Sequence, residues 1–217
     1  MRLKIDLHVH TNHSYDGLTS LEVAIKAAKQ RGLNGIAITD HDAIERIRNI
    51  SKTNIILIPG IEISTKAGHL IALGIKSPIP PNLTALETAK RIRRQGGLVV
   101  VPHPYDRLSH GMGREDVKSI KPDAIEVINS SSLTFSRAKN RNQKLAEELH
   151  VAEVAGSDSH IPETIGDAYT IIETNSTKLN EILRAIKNGK TVPEGTKTTL
   201  KNRLREIWLK TKIKIGI

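Results

Sequence analysis

Apolar runs and amphipathic stretches take turns along this chain. Runs rich in Ile, Leu, Val and Ala near 3–10, 34–40, 54–64, 69–75, 97–102, 124–129, 151–156 and 168–173 read as strands. Between many of them, apolar residues recur at helical spacing. After DGLTS, the stretch LEVAIKAAKQRG places Leu21, Ala24, Ile25 and Ala28 on one face, with Thr19 or Ser20 as N-cap and Gly32 as the stop. Similar patterns predict helices near 82–95, 136–149 and 178–188, and SPIPPN at 77–82 reads as a turn ahead of the first of these. Strands alternating with helices imply an α/β fold with parallel pairing and right-handed crossovers, and about seven repeats in one chain predict a barrel. An open doubly wound sheet is the alternative.

A chain of 217 residues can bury a sizeable core. Its aromatic residues are Tyr15, Tyr105, Phe135, Tyr169 and Trp208, so that core must be mainly aliphatic, which favours strands and packed helices over a repeat architecture. MRLKIDLHVH leads into charged, histidine-rich sequence within a few residues, and no apolar run is long enough to span a bilayer. Neither a signal peptide nor a membrane span is expected, and a cytoplasmic location follows. The absence of cysteine excludes disulfides, thiolate ligands and a cysteine nucleophile. The net charge of +10 is concentrated at the end, where residues 187–217 hold nine Lys or Arg against two Glu. The organisation read from this is a barrel over residues 1–195 and a basic tail over 196–217. Within KNRLREIWLKTKIKIGI, Leu204, Ile207 and Trp208 share one side of a helix with Leu200. Such a helix can bind nucleic acid or an anionic membrane surface. The simpler expectation is that it docks Leu and Trp on the barrel and leaves a solvated basic face.

The chemistry lies in the histidines. His8 and His10 fall in DLHVHTNHSYDG, His41 in TDHD, His69 in GHLIALG, His103 in VPHPYD and His160 in GSDSH. Imidazole and carboxylate together suit zinc, manganese and iron. On a strand His8 and His10 project the same way and can grip one ion, and Asp158 and His160 repeat that spacing. KIDLHVH, GIAITDHD and VAEVAGSDSH are apolar runs that reach their polar residues only at the C-terminal end, where α/β barrels place their sites. Each piece alone has a simpler account: TDHD could cap a helix and GSDSH could be a turn. Together they point to one shared metal centre. His13, His110 and His150 lack this context, and Asp6 and Asp40 are better suited to hydrogen-bonding a ligand histidine or a nearby strand.

Taken in order, HVHTNHSYDG, TDHD, GIEIS, GHLIALG, VPHPY, IEVINSSS and GSDSH resemble the PHP family, named for its polymerase and histidinol-phosphatase members, over roughly residues 1–175. The resemblance implies a distorted (β/α)7 barrel with three divalent metal ions in a cleft at the C-terminal ends of the strands. It implies that His8, His10 and Asp158 hold one ion, that Glu62 bridges to a second completed by His69 and His103, and that Asp16, His41 and His160 hold the third. Asp16 stands where some relatives carry histidine. Zinc, manganese or iron suit the set and magnesium is admitted; affinity alone does not name the native ion.

Ions outweighing their carboxylates leave a positive pocket that favours a phosphate ester. A metal-bound hydroxide can attack phosphorus with no protein nucleophile. The expectation is a phosphoric ester hydrolase acting on phosphomonoesters, nucleotides or other small phosphates, with Arg107 and Arg137 as phosphate clamps. EVINSSSLTFSR followed by GSDSH resembles the small stand-alone phosphatase type. The alternatives are an exonuclease or oligoribonuclease that uses the basic tail to hold nucleic acid, and a metal-binding accessory protein without catalysis.

Overall fold

A computed structural model describes residues 1–44, 54–106 and 109–214. Its strands are β1 (Arg2–Val9), β2 (Gly35–Ile38), β3 (Ile56–Thr65), β4 (Gly68–Leu73), β5 (Leu98–Val101), β6 (Ala124–Asn129), β7 (Ala152–Gly156), β8 (Ala168–Glu173) and β9 (Thr191–Gly195). They form one sheet in the order β7-β6-β5-β4-β3-β2-β1-β8-β9. The sheet curls until its ends nearly meet, and the gap is stitched without a ladder. Asp158 N donates to His8 O at 2.8 Å, His10 N to Ser159 O at 2.9 Å, and Ala155 N to Thr170 Oγ1 at 2.8 Å. The result is the expected α/β barrel.

Its pairing is mixed, where uniformly parallel strands were expected. β1–β2, β2–β3, β5–β6 and β6–β7 are parallel; β3–β4, β4–β5, β1–β8 and β8–β9 are antiparallel. β3 and β4 are joined by only Lys66 and Ala67, too short for the crossover that parallel strands need. All eight predicted strands are present. β9, unpredicted, has the sequence TVPEG and contains a proline, which a strand tolerates at the edge of a sheet, where β9 lies.

The helices are α1 (Leu21–Gln30), α2 (Ala85–Arg94), α3 (Arg114–Ile120), α4 (Phe135–Leu149), α5 (Leu179–Lys187) and α6 (Leu200–Lys214). Ser20 Oγ accepts from Val23 N and caps α1, and Thr84 caps α2 in the same way. α3 escapes a periodicity search because its seven residues bury only Val117 and Ile120. Ala24 and Ala28 of α1 share a core cluster with Val9, Ile36 and Ile38, while Ile182, Leu183 and Ile186 of α5 join the cluster that includes Leu3, Ile5 and Leu7. Each fully buried large aliphatic contributes about 1.5–3 kcal/mol.

α6 departs from expectation. Leu204, Ile207 and Trp208 do not dock: they are 58, 56 and 55% exposed. The opposite face, with Asn202, Arg203, Glu206 and Lys210, is half-buried. Arg203 donates to Ser131 O at 2.9 Å, Arg205 pairs with Glu163 at 3.0 Å, and Thr198 N, just ahead of the helix, donates to Ser130 O at 3.0 Å. The surface beneath is made of polar loops beyond the strand ends, and charged side chains satisfy it better than Leu or Trp could.

Candidate metal centre

His8 is on β1 and His10 just beyond it; Asp16 is in the loop to α1, His41 follows β2, His103 follows β5, and Asp158 and His160 follow β7. Glu62 is in the middle of β3. His69 is near the start of β4, which, being antiparallel, delivers it to the same end of the barrel. The fold thus gathers all nine residues. His8, His10, Glu62, His69, His103, Asp158 and His160 are buried, and Asp16 and His41 are half-buried.

Glu62 is at the centre. Its Oε2 lies 3.3 Å from His8 Nε2, 3.3 Å from His10 Nε2 and 3.2 Å from His41 Nδ1. Its Oε1 lies 3.0 Å from His69 Nδ1 and 3.1 Å from His103 Nε2. Asp158 Oδ1 is 3.5 and 3.3 Å from the Nε2 atoms of His8 and His10, which are themselves 3.1 Å apart. At the other end Asp16 Oδ2 is 2.9 Å from His160 Nε2, and Asp16 Oδ1 is 3.8 Å from His41 Nε2. Ligand atoms of His10, Asp16, His41 and His160 all lie within 4.8 Å of one another, as do those of His8, His103 and Asp158, those of His8, His10 and Glu62, and those of His41, Glu62 and His69.

The surroundings orient these rings. His8 Nδ1–H donates to Glu126 Oε1 at 3.0 Å, which directs Nε2 toward Glu62, and His160 Nδ1–H donates to the Asp158 carbonyl at 3.1 Å. His10 Nδ1 and Ser14 Oγ are hydrogen-bonded at 3.1 Å. Glu126 Oε2 accepts from His103 N at 3.0 Å and from Asn129 Nδ2 at 2.9 Å; Asn129 also donates to Asp158 Oδ2. His103 and Asp158 have φ of 28° and 55°, a left-handed backbone uncommon outside glycine and concentrated at functional sites. Asp6 accepts from Ser157 N, Ser157 Oγ, Gly166 N and His8 N, and Asp40 from Thr11. Both therefore hold loops around the ligands and touch no ligand imidazole.

Burial acts on each charge. It disfavours protonated His8 and His10, but Asp158, Glu126 and Glu62 hold His8 well above the usual imidazole range, and Asp158 and Glu62 raise His10 to about 9. Burial lowers His41 to about 4. It opposes ionisation of Glu62 and Asp158 too, yet the facing histidines keep both well below the ordinary carboxylate range. Burial raises Asp6 to about 6 against its four hydrogen bonds.

Of the two arginines expected to clamp phosphate, Arg107 lies outside the described residues. Arg137 lines a cavity of about 760 Å³ with Pro104, Tyr105, Arg114 and Arg141, and none of the nine candidate ligands lines it. A second cavity, of about 490 Å³, is lined by His69 itself with Tyr15, Lys66, Asn82 and His110. The Tyr15 ring stacks on His41 with centroids 5.0 Å apart, and the His110 ring is 5.1 Å from that of His69. Sequence reasoning missed Glu126, whose one signal was a charge inside the apolar run AIEVIN. It also missed Lys210 of α6, whose Nζ lies 3.1 Å from Asp16 Oδ2.

A mixed α/β barrel that gathers histidines and carboxylates at one end is the arrangement expected of the PHP family, and the chain belongs to that family. The model of the PHP-associated region matches residues 136–191. An uncharacterized protein of Methanocaldococcus jannaschii is 32% identical over 142 residues, covering 59% of this chain and 82% of its own. A protein of Haemophilus influenzae named 5'-3' exoribonuclease is 30% identical over 122 residues, covering 49% and 44%. One of Shewanella frigidimarina named probable phosphatase is 24% identical over 227 residues, covering 84% and 89%. A two-domain protein of Bacteroides vulgatus, described as containing a predicted PHP-like metal-dependent phosphoesterase, superposes with a TM-score of 0.75 at 21% identity, covering 97% of this chain and 70% of that one.

Proposed function

We propose that this protein is a phosphomonoesterase that hydrolyses nucleotides or other small phosphate esters at a centre of three divalent ions. The observation that carries this reading is Glu62, whose two oxygens face five imidazoles in a buried pocket, an arrangement suited to a bridging ligand. His8, His10 and Asp158 would hold the first ion, Glu62, His69 and His103 the second, and Asp16, His41 and His160 the third. The donor set fits such ions. Opposed imidazole nitrogens 3.1 Å apart favour a cation between them, and the buried Asp16 Oδ1 and His103 Nδ1 have no hydrogen-bond partner. When bound, zinc, manganese, iron or magnesium ions would activate water and offset the charge growing on the attacking and leaving oxygens.

The chain's own residues supply the rest. Glu126 and Ser14 fix the ring orientations of His8 and His10. The cavity beside His69 offers Tyr15, Lys66, Asn82 and His110 to the leaving group, a surface able to stack a ring and hydrogen-bond its substituents. The relative named probable phosphatase supports the choice, because it aligns over nearly its whole length, whereas less than half of the exoribonuclease is matched.

A second reading, an exonuclease for short oligonucleotides, draws on the exoribonuclease relative and on the basic α6, which exposes Trp208 with Lys212 4.5 Å from its ring. Phosphate release from nucleotides, histidinol phosphate, a chromogenic monoester and short oligonucleotides, after chelation and return of Mn, Zn or Mg, separates the two. Release from the small esters supports the first reading. Turnover of oligonucleotides alone replaces it with the second.

A further inference from the structure

α6 reaches the cluster at the end where Asp16, His41 and His160 gather. Lys210 Nζ lies 3.1 Å from Asp16 Oδ2 and 3.0 Å from Glu206 Oε1, and Glu206 Oε1 lies 3.9 Å from His160 Nδ1. Among the described residues, no other Lys or Arg forms an ion pair with any of the nine cluster residues. Burial of apolar surface does not explain why Lys210 turns inward, since the apolar face of α6 is the exposed one. A half-buried ammonium loses hydration, and two carboxylates compensate it here. Divalent ions at this end would add positive charge beside the lysine. Asp16 Oδ2, shared between Lys210 and His160, is one anion between the lysine and the cluster, and once Asp16 is engaged by an ion a phosphoryl group bound there would supply a second.

We propose that Lys210 contacts the substrate: its ammonium receives phosphoryl oxygens at the Asp16–His41–His160 end of the cluster, so that α6 forms a wall of the substrate pocket and Glu206 holds the lysine in position. This rests on the phosphoesterase reading of the site. Lysine suits the task because three donors on a flexible stem can bond Glu206 and a phosphate together.

The test uses the full-length manganese-loaded protein. Binding of inorganic phosphate is measured by calorimetry, metal content by mass spectrometry, and KM and kcat on a chromogenic phosphomonoester. In Lys210→Ala, phosphate binding should weaken roughly 10- to 100-fold, the loss of one charge-assisted contact, with KM raised more than kcat is lowered and metal content unchanged. Lys210→Arg should retain most of the affinity. Arg205→Ala, a change on the same helix as Lys210 that removes only the pair with Glu163, should bind phosphate as the native protein does. Native affinity in Lys210→Ala overturns the proposal, as does an equal loss in Arg205→Ala, which would assign the effect to helix docking. Loss of metal along with phosphate affinity in Lys210→Ala also overturns it. If the native protein binds phosphate through Lys210 yet releases phosphate from no monoester, the contact stands and the phosphomonoesterase reading fails.

Discussion

Glu62 meets five imidazoles at 3.3 Å or less, so no other single residue is as exposed to loss. Glu62→Gln keeps the shape and removes the charge; turnover should fall roughly 10³-fold or more, with metal content reduced and far-UV circular dichroism unchanged. Near-native rates after metal reconstitution would count against the assignment. Asp6 makes the opposite kind of prediction. Its oxygens accept four hydrogen bonds in the barrel interior, so Asp6→Asn sets an amide N–H against a donor and should cost about 1–3 kcal/mol in a denaturant melt. Most of the nine cluster residues were legible because they break or end an apolar run; Asp16, in the polar loop TNHSYDG, was named only through the family resemblance. Glu126 was not legible, since one acid in AIEVIN reads equally well as the solvent side of a strand. Lys210 was one of seven cations in a basic tail, and the amphipathic pattern there pointed the apolar side inward.

Gly156 ends β7 beside the candidate metal centre, and a Cβ there would run into the Cβ of His8 and Glu126 Oε1. Gly156→Ala should therefore push β1 from β7, lowering metal affinity as well as stability, and a metal titration followed by thermal melting would separate those effects. α6 is bound by ion pairs and hydrogen bonds, with Leu200, Leu204, Ile207 and Trp208 exposed. Its amides should exchange with deuterium faster than those of β1 and β2, and faster still in high salt; exchange as slow as in the sheet would mean the helix is held more firmly than these contacts allow. Strands with continuous apolar runs could be read from sequence. β9 and α3 could not, because one is a proline-containing edge and the other a two-contact helix. Pairing direction was illegible too, apart from the short link between β3 and β4.

Across the whole molecule, bound ions and bound protons compete for the same pocket. Without metal, His10 keeps its proton up to about pH 9, against an ordinary value of 6.5. A raised folded-state value stabilises below 6.5 and loses that contribution as pH rises through 9, so chelated protein should lose melting temperature over that window while the metal-loaded form should not. Metal binding at neutral pH should also release protons, seen as a dependence of binding heat on the buffer's ionisation enthalpy. A hydrolytic centre of three ions can be titrated by returning manganese stepwise to chelated protein while following phosphate release from a monoester. Release should be nil without metal, and the rate should climb to a plateau at about three ions per chain. Full activity in the chelated protein, or a plateau at one ion, would contradict such a centre.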